Sequence, residues 1–296
     1  MNLHHLAIFH AIAETGSISA AAVRVHISQP ALSRELKAFE SRLGVALFER
    51  QARGMRLTEP GSVLHGYSAR LFAVADSAQA AMRAFADARA GQLSIGASNT
   101  IGTYVLPRYI AQFRRAFPGI GISLFVGNTG QVAQGVADLR FTLGFVEGPI
   151  RAEGLATEAF SRDELVPVVG AGHALARRRR LAPSDIDGEP LLMREPGSGT
   201  RELVSTLLQQ LGVQTGSIVE FGNTEALKQA AIHGGGIAWL PSISVDGELQ
   251  EGRLVKLPAR ALALQRPLSI IRREGAWQAP AVDAFLEMVR QPTPAG

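Results

Sequence analysis

Apolar positions along this chain follow two rhythms, and the change comes near residue 91. Before it they recur every three or four residues, as on helices; after it, short apolar runs alternate with helical segments. In the first part, Leu32, Leu36, Phe39 and Leu43 are spaced four, three and four apart, which predicts one buried stripe on a helix. Ser28 is a natural N-cap for that helix, and Pro30 suits its first turn, where a missing N–H costs nothing. Upstream, Gly16–Val25 reads as a shorter helix capped by serine, with His26-Ile27-Ser28 as the turn between the two.

The polar face of the second helix carries Gln29, Ser33 and Lys37 in one row, with Arg34 beside them and Pro30 in the same first turn. A helix entering the major groove presents base-reading side chains from its N-terminal half. Residues 44–50 then lead into 51–58, which predicts a β-hairpin wing. Arg50, Arg53 and Arg56 lie there without a matching row of acids, so they are assigned to phosphates and to salt-dependent affinity. The candidate DNA-binding set is therefore Gln29, Pro30, Ser33, Arg34, Lys37, Arg50, Arg53 and Arg56.

From Thr58, with Pro60 in its first turn, a helix is expected to run to about Ala90. Leu64, Tyr67, Leu71, Val74, Ala78, Ala81 and Phe85 recur at spacings of three or four, the seam of a two-stranded coiled coil. Such a helix is about 45 Å long at 1.5 Å per residue. It predicts a homodimer that holds two DNA-reading heads on an inverted-repeat operator.

Beyond residue 91 the runs Leu93–Gly96, Ile122–Val126, Glu164–Val169 and Pro190–Met193 predict strands of an α/β fold. Four strand-to-helix joints carry small hydrogen-bonding residues: Ser98-Asn99-Thr100, Gly127-Asn128-Thr129, Gly197-Ser198-Gly199-Thr200 and Gly222-Asn223-Thr224. Ligands of open α/β sheets bind beyond the carboxyl ends of strands, where helix N-termini favour anions. The candidate effector-binding residues are Ser98, Asn99, Thr100, Thr129, Ser198, Gly199, Thr200, Arg201, Asn223 and Thr224, around a small anionic metabolite. The repeat of Gly-Asn-Thr at two strand ends points to two similar subdomains.

Composition narrows the function. Of 296 residues, 46% are hydrophobic and 19% charged, enough apolar material for packed cores, and there is no cysteine for a disulfide or a thiolate. The net charge is +4, and residues 1–90 hold 10 Lys and Arg against 7 Asp and Glu, so the basic excess is N-terminal. No run approaches the roughly 18 apolar residues of a membrane span, so a cytoplasmic location is expected and no membrane partner. The seven histidines form no H-x-x-x-H pair, and no catalytic constellation or dinucleotide spacing is found. No enzyme activity, metal or cofactor is expected. The run Arg177–Arg180 is read as solvated surface, and Gly234–Gly236 as a tight turn before a strand.

Ala21-Ala22, Ile27–Ser33, Phe39-Glu40, Leu43-Gly44, Leu47–Arg50 and Leu57-Thr58 together resemble the LysR-type DNA-binding signature over about sixty residues. The resemblance implies a winged helix-turn-helix over 1–58, a linker and dimerisation helix over 59–90, and a periplasmic-binding-protein-like effector domain over 91–296. That domain would have subdomain I at about 91–162 and 266–296 and subdomain II at about 163–265. Crossovers are expected near 160–164 and 264–268, with the helix around Ala279–Arg290 returning to subdomain I. The resemblance also implies homotetramers built from dimers, RNA polymerase as a further partner, and transcription controlled by the metabolite. Gly197–Arg201, Gly222–Lys228 and Gly234–Ala238 resemble the branch concerned with carbon dioxide or sulfur assimilation. Arg140 stands where relatives usually carry an acid, which puts carry-over of their ligand in doubt. A constitutive or architectural DNA protein, whose C-terminal domain only oligomerises, stays open as the alternative.

Overall fold

In the computed structural model the described residues are 2–51, 54–86, 91–150, 153–275 and 279–291, with the side chains of 50, 77, 80, 81, 83–86 and 91 outside the description. Two compact units divide the chain, Met1–Gln79 and Ala80–Gly296.

The first unit opens with a helix for which no pattern had been identified, α1 (Leu3–Thr15). Asn2 caps it by accepting from His5 N, and Gly16 closes it in the left-handed region. Then come α2 (Ile18–Arg24), α3 (Gln29–Leu43), the antiparallel pair β1 (Phe48–Gln51) and β2 (Gly54–Leu57), and α4 (Glu59–Ala86). Ser17 and Ser28 cap α2 and α3, accepting from Ala20 N and Ala31 N. Leu6, Phe9, Ile12, Leu32, Leu36, Phe39 and Leu47 close one core. Each side chain of this size stabilises by about 1.5–3 kcal/mol when buried.

Two expected stripes need correction. Leu43 is 39% exposed, because it is the last residue of α3 and has passed the edge of the core. Leu64 packs on the first unit's own core, so it does not belong to the outward seam of α4. The exposed apolar line is Val63, Tyr67, Leu71, Val74 and Met82, with Ala78 exposed in the same row. The side chains of Ala81 and Phe85 lie outside the described residues. At 28 residues, α4 spans about 42 Å.

The second unit comprises β3 (Gly91–Ser98), α5 (Leu106–Ala116), β4 (Ile120–Gly127), α6 (Thr129–Ala137), β5 (Leu143–Glu147), β6 (Leu155–Gly170), β7 (Leu191–Arg194), α7 (Gly199–Gln210), β8 (Ile218–Phe221), α8 (Thr224–Ile232), β9 (Ile237–Pro241), α9 (Asp246–Gln250), β10 (Leu254–Lys256), β11 (Leu264–Arg273) and α10 (Pro280–Arg290). Its sheet order is β4-β3-β5-β11-β6-β9-β7-β8, with β10 beside β6. Strands β3, β4 and β5 pair parallel at one end, and β7, β8 and β9 at the other. The long strands β6 and β11 run antiparallel through the middle, from Leu264 opposite Leu165 to Arg273 opposite Leu155. They are the two crossovers between an α/β subdomain on each side.

Each subdomain buries both faces of its strands. Phe113, Phe145 and Phe285 form a fully buried aromatic knot joining α5, β5 and α10, so the C-terminal helix does return to the first subdomain. Val132, Val136 and Phe141 cover the opposite face. In the second subdomain, Val204 and Leu208 of α7 pack on one face and Leu227 and Ala231 of α8 on the other. Arg140 is exposed, its guanidinium over the Phe141 ring, and Arg177–Arg180 are exposed as expected. No helix among the described residues is long and apolar enough to cross a membrane.

Candidate nucleic-acid interface and effector cleft

The capped start of α3 puts its polar face outward. Gln29, Pro30, Arg34 and Lys37 are exposed and Ser33 is half-buried. Ser19 Oγ donates to Gln29 Oε1 at 3.2 Å, which orients that amide from α2. The wing is fastened to the same helix: Glu40 Oε1 accepts from Leu47 N at 2.7 Å and Phe48 N at 3.2 Å. Met55 N donates to Gly16 O at 2.8 Å, tying β2 to the turn after α1. Arg56 is exposed on β2, and Arg34, Lys37 and Arg56 form no ion pair among the described residues. Cations left free in this way suit phosphate and base edges. Arg50 lies on β1 with its side chain outside the description, and Arg53 lies outside the described residues altogether.

The four strand-end joints divide into two kinds. At two of them the asparagine is consumed as a helix cap: Asn128 accepts from Gln131 N in a capping box, and Asn223 accepts from Ala226 N. Their threonines are also engaged. Thr129 Oγ1 donates to Glu147 O at 3.0 Å, and Thr224 Oγ1 accepts from the buried Arg194 at 2.9 Å. Arg201 turns away, donating to Arg194 O and Glu220 Oε2, both at 2.7 Å.

The other two joints converge on a residue that the sequence reading passed over. Arg266, 1% exposed, stands on β11 with its guanidinium between the subdomains. Its Nη2 donates to Thr100 Oγ1 at 3.1 Å and its Nη1 to Thr200 Oγ1 at 2.8 Å. Asp163 on β6 accepts from Nε at 2.9 Å and from Nη2 at 2.6 Å. Glu147, at the end of β5, lies 3.7 Å from Nη1 and accepts from the Ser98 hydroxyl. Burial pushes the Glu147 carboxyl above its ordinary value, an effect that the Arg266 charge opposes. One cation thus joins hydroxyls from both subdomains to a carboxylate on the crossover strand β6 and lies near a second at the end of β5. A visible signal existed: Asp163 and Arg266 are opposite charges inside the two segments expected to be crossovers.

Backbone geometry presents these hydroxyls. A π-helical turn at Ile101–Val105 interrupts the helix that begins after β3 and sets Thr100 at its mouth. Ser198, 5% exposed, precedes α7 without capping it, and Gly199 lies so close to β5 that a Cβ there would overlap the Glu147 carbonyl. The strand ends meet directly, Gly130 N donating to Gly197 O at 3.0 Å and Asn128 Nδ2 to Pro196 O at 3.4 Å. Asn99 Nδ2 donates to Gly127 O at 3.0 Å. A cavity of about 370 Å³ opens next to Thr100, with Arg108, Ser161, Arg162, Ser242 and Gln265 among its walls, and Thr200 is not part of it.

Residues 3–62 match the family model for bacterial regulatory helix-turn-helix proteins of the lysR family, and residues 86–293 match that for the LysR substrate binding domain. The chain is similar to the HTH-type transcriptional regulator CbbR of Rhodospirillum rubrum, with 34% identity across 98% of this chain and 96% of that protein. The regulatory domain of Synechocystis PCC6803 CcmR, solved in complex with 2-PG, covers 67% of this chain and 95% of its own length at a TM-score of 0.63 and 27% identity. Full-length CbnR, solved with its target DNA, covers 98% of this chain and 99% of its own length at a TM-score of 0.70 and shares the fold at 24% identity.

Proposed function

This chain belongs to the lysR family of bacterial regulatory helix-turn-helix proteins, DNA-binding regulators of transcription, and from that premise we propose that a small anionic metabolite controls it from between the two subdomains. The observation that carries the proposal is the Arg266 guanidinium, which holds Thr100 of one subdomain and Thr200 of the other. An anion there would have two hydroxyls and the N-terminus of α7 as partners, with Arg266, itself paired to Asp163, holding those hydroxyls in place. The solved CcmR complex with 2-PG agrees with a small ligand in such a domain.

In the conformation described here the strand ends touch, so a metabolite seated between Thr100 and Thr200 parts Gly130 from Gly197. A ligand that fits only the parted form shifts the balance between the two forms, and nothing else about its binding does so. A micromolar ligand carries about 8 kcal/mol of binding free energy, of which about 1–3 kcal/mol is typically available for coupling. Pairing of two chains along the exposed line of α4 would deliver the change to two DNA-reading heads on an inverted repeat. Gln29, Ser33, Arg34 and Lys37 then read bases, with Arg50, Arg53 and Arg56 on the backbone. Pairs of dimers and contact with RNA polymerase extend the same scheme, and a cytoplasmic location goes with binding DNA.

The test is a thermal-shift screen of the full chain against phosphorylated sugars, carboxylates, sulfur oxyanions and 2-PG. A dose-dependent rise in Tm that is lost in Thr100→Ala is expected. A flat panel, or a response that Thr100→Ala leaves intact, overturns the assignment.

A further inference from the structure

Outside both sites, His10 and Glu14 of α1 and His65 of α4 come together in the first unit. One ligand atom from each lies within 4.8 Å of the others. His10 and Glu14 are four apart on one helix, so they share a face. Glu14 Oε1 is 3.0 Å from His65 Nε2, and the rings of His10 and His65 stack with centroids 5.4 Å apart. Sequence spacing conceals the set, because His65 is 51 residues from Glu14 and only the packing of α4 on α1 unites them.

A buried hydroxyl settles which nitrogen of His10 is available. Ser68, 0% exposed, donates its proton to His65 O at 3.0 Å, which leaves its oxygen able only to accept. His10 Nδ1, 3.1 Å away, must therefore be the N–H that donates to it. The Nε2 lone pair is then free, held by an outer hydrogen bond of the kind that orients metal-binding imidazoles. Phe72 packs its ring 5.1 Å from His10 and restricts the imidazole further. Of the charges around it, Asp76 on α4 favours a cation and Arg24 on α2 opposes one.

We propose that His10, Glu14 and His65 form a site for a divalent transition metal, clamping the first helix of the DNA-binding unit to the linker helix. Two imidazoles and one carboxylate suit a borderline ion such as Zn²⁺, with water in the remaining position. Magnesium and calcium, which prefer oxygen ligands, are disfavoured by the same chemistry.

Metal-stripped full-length protein titrated with Zn²⁺ in a calorimeter tests this, with Co²⁺ absorption as a second readout. One ion per chain is expected, accompanied by a rise in Tm. His65→Ala and His10→Gln should abolish both, and His233→Ala, a surface control, should change neither. Ser68→Ala keeps all three ligands and should weaken binding about 10- to 100-fold. Circular dichroism of each variant separates lost binding from lost folding. Absence of stoichiometric uptake by the wild type, or uptake unchanged in a folded His65→Ala protein, overturns the proposal.

Discussion

Asp163 and Arg266 sit opposite each other in the ladder of the two crossover strands, and one carboxylate oxygen accepts from two nitrogens of the guanidinium. Both side chains are buried, so removing one leaves the other uncompensated. Arg266→Ala is expected to lower stability by about 3–5 kcal/mol, read from urea unfolding of the full chain. A loss below about 1 kcal/mol would mean that water or a neighbour replaces the charge. Thr200→Val should cost far less stability and still weaken the response to an anion.

Glu147 makes stability depend on pH in a defined direction. Burial raises its carboxyl in the folded state, so the fold retains a proton that the unfolded chain gives up. Stability should therefore fall as pH rises from the ordinary glutamate value through the raised one. Urea midpoints between about pH 4 and pH 8 should show this fall in the wild type and a shallower one in Glu147→Gln. Parallel curves for the two proteins would remove Glu147 as the cause.

Arg34 and Arg56 should fail in different ways. Arg34→Ala on α3 is expected to cost about 1–3 kcal/mol on the operator and little on random duplex. Arg56→Ala on the wing should weaken both alike and reduce the slope of log K against log salt by about 1. Binding isotherms on the two DNAs at several salt concentrations distinguish them, and equal losses for Arg34→Ala on both would contradict its assignment to bases.

Val74 and Tyr67 lie on the outward apolar line of α4, 51% and 63% exposed. If that line is the dimer contact, Val74→Asp should convert dimers to monomers in sedimentation while leaving helix content intact, since the side chain joins no core cluster among the described residues. An unchanged sedimentation coefficient would move the contact elsewhere.

Gly199 tests the closeness of the subdomains. Gly199→Ala sets a methyl against the Glu147 carbonyl and should force α7 from β5, lowering stability by about 1–3 kcal/mol. A melting temperature equal to the wild type would show that the joint yields without strain.

Elements carrying a strong period or a cap were legible. Ser17 and Ser28 signalled helix starts, and the apolar runs became β3, β4, β6 and β7 close to their expected positions. The crossovers, the returning C-terminal helix and the family were legible as well, the last because its motif is spread over many fixed spacings. α1 escaped, although Leu6, Phe9 and Ile12 recur every three residues between the polar His5, His10 and Glu14. Within the site, residue types at strand ends pointed to Thr100 and Thr200 but not to Arg266, because a charged side chain reads as surface until its partners are known. Arg201 shows the converse: the visible cation near the joint is spent on Glu220, and the functional-looking one is buried in a strand.

Glu40 has a consequence for what any signal can alter. Its carboxylate fixes the first residues of the wing to the reading helix, while Gly16 fixes the far strand to the turn after α1. Wing and helix therefore move as one piece, and distorting one against the other means breaking charge-assisted bonds. Under the proposed control, an effector can retune the distance and tilt at which two such pieces meet the duplex, but not the letters each one reads. Inducible and basal states should then prefer the same half-site and differ in the number of base pairs between half-sites.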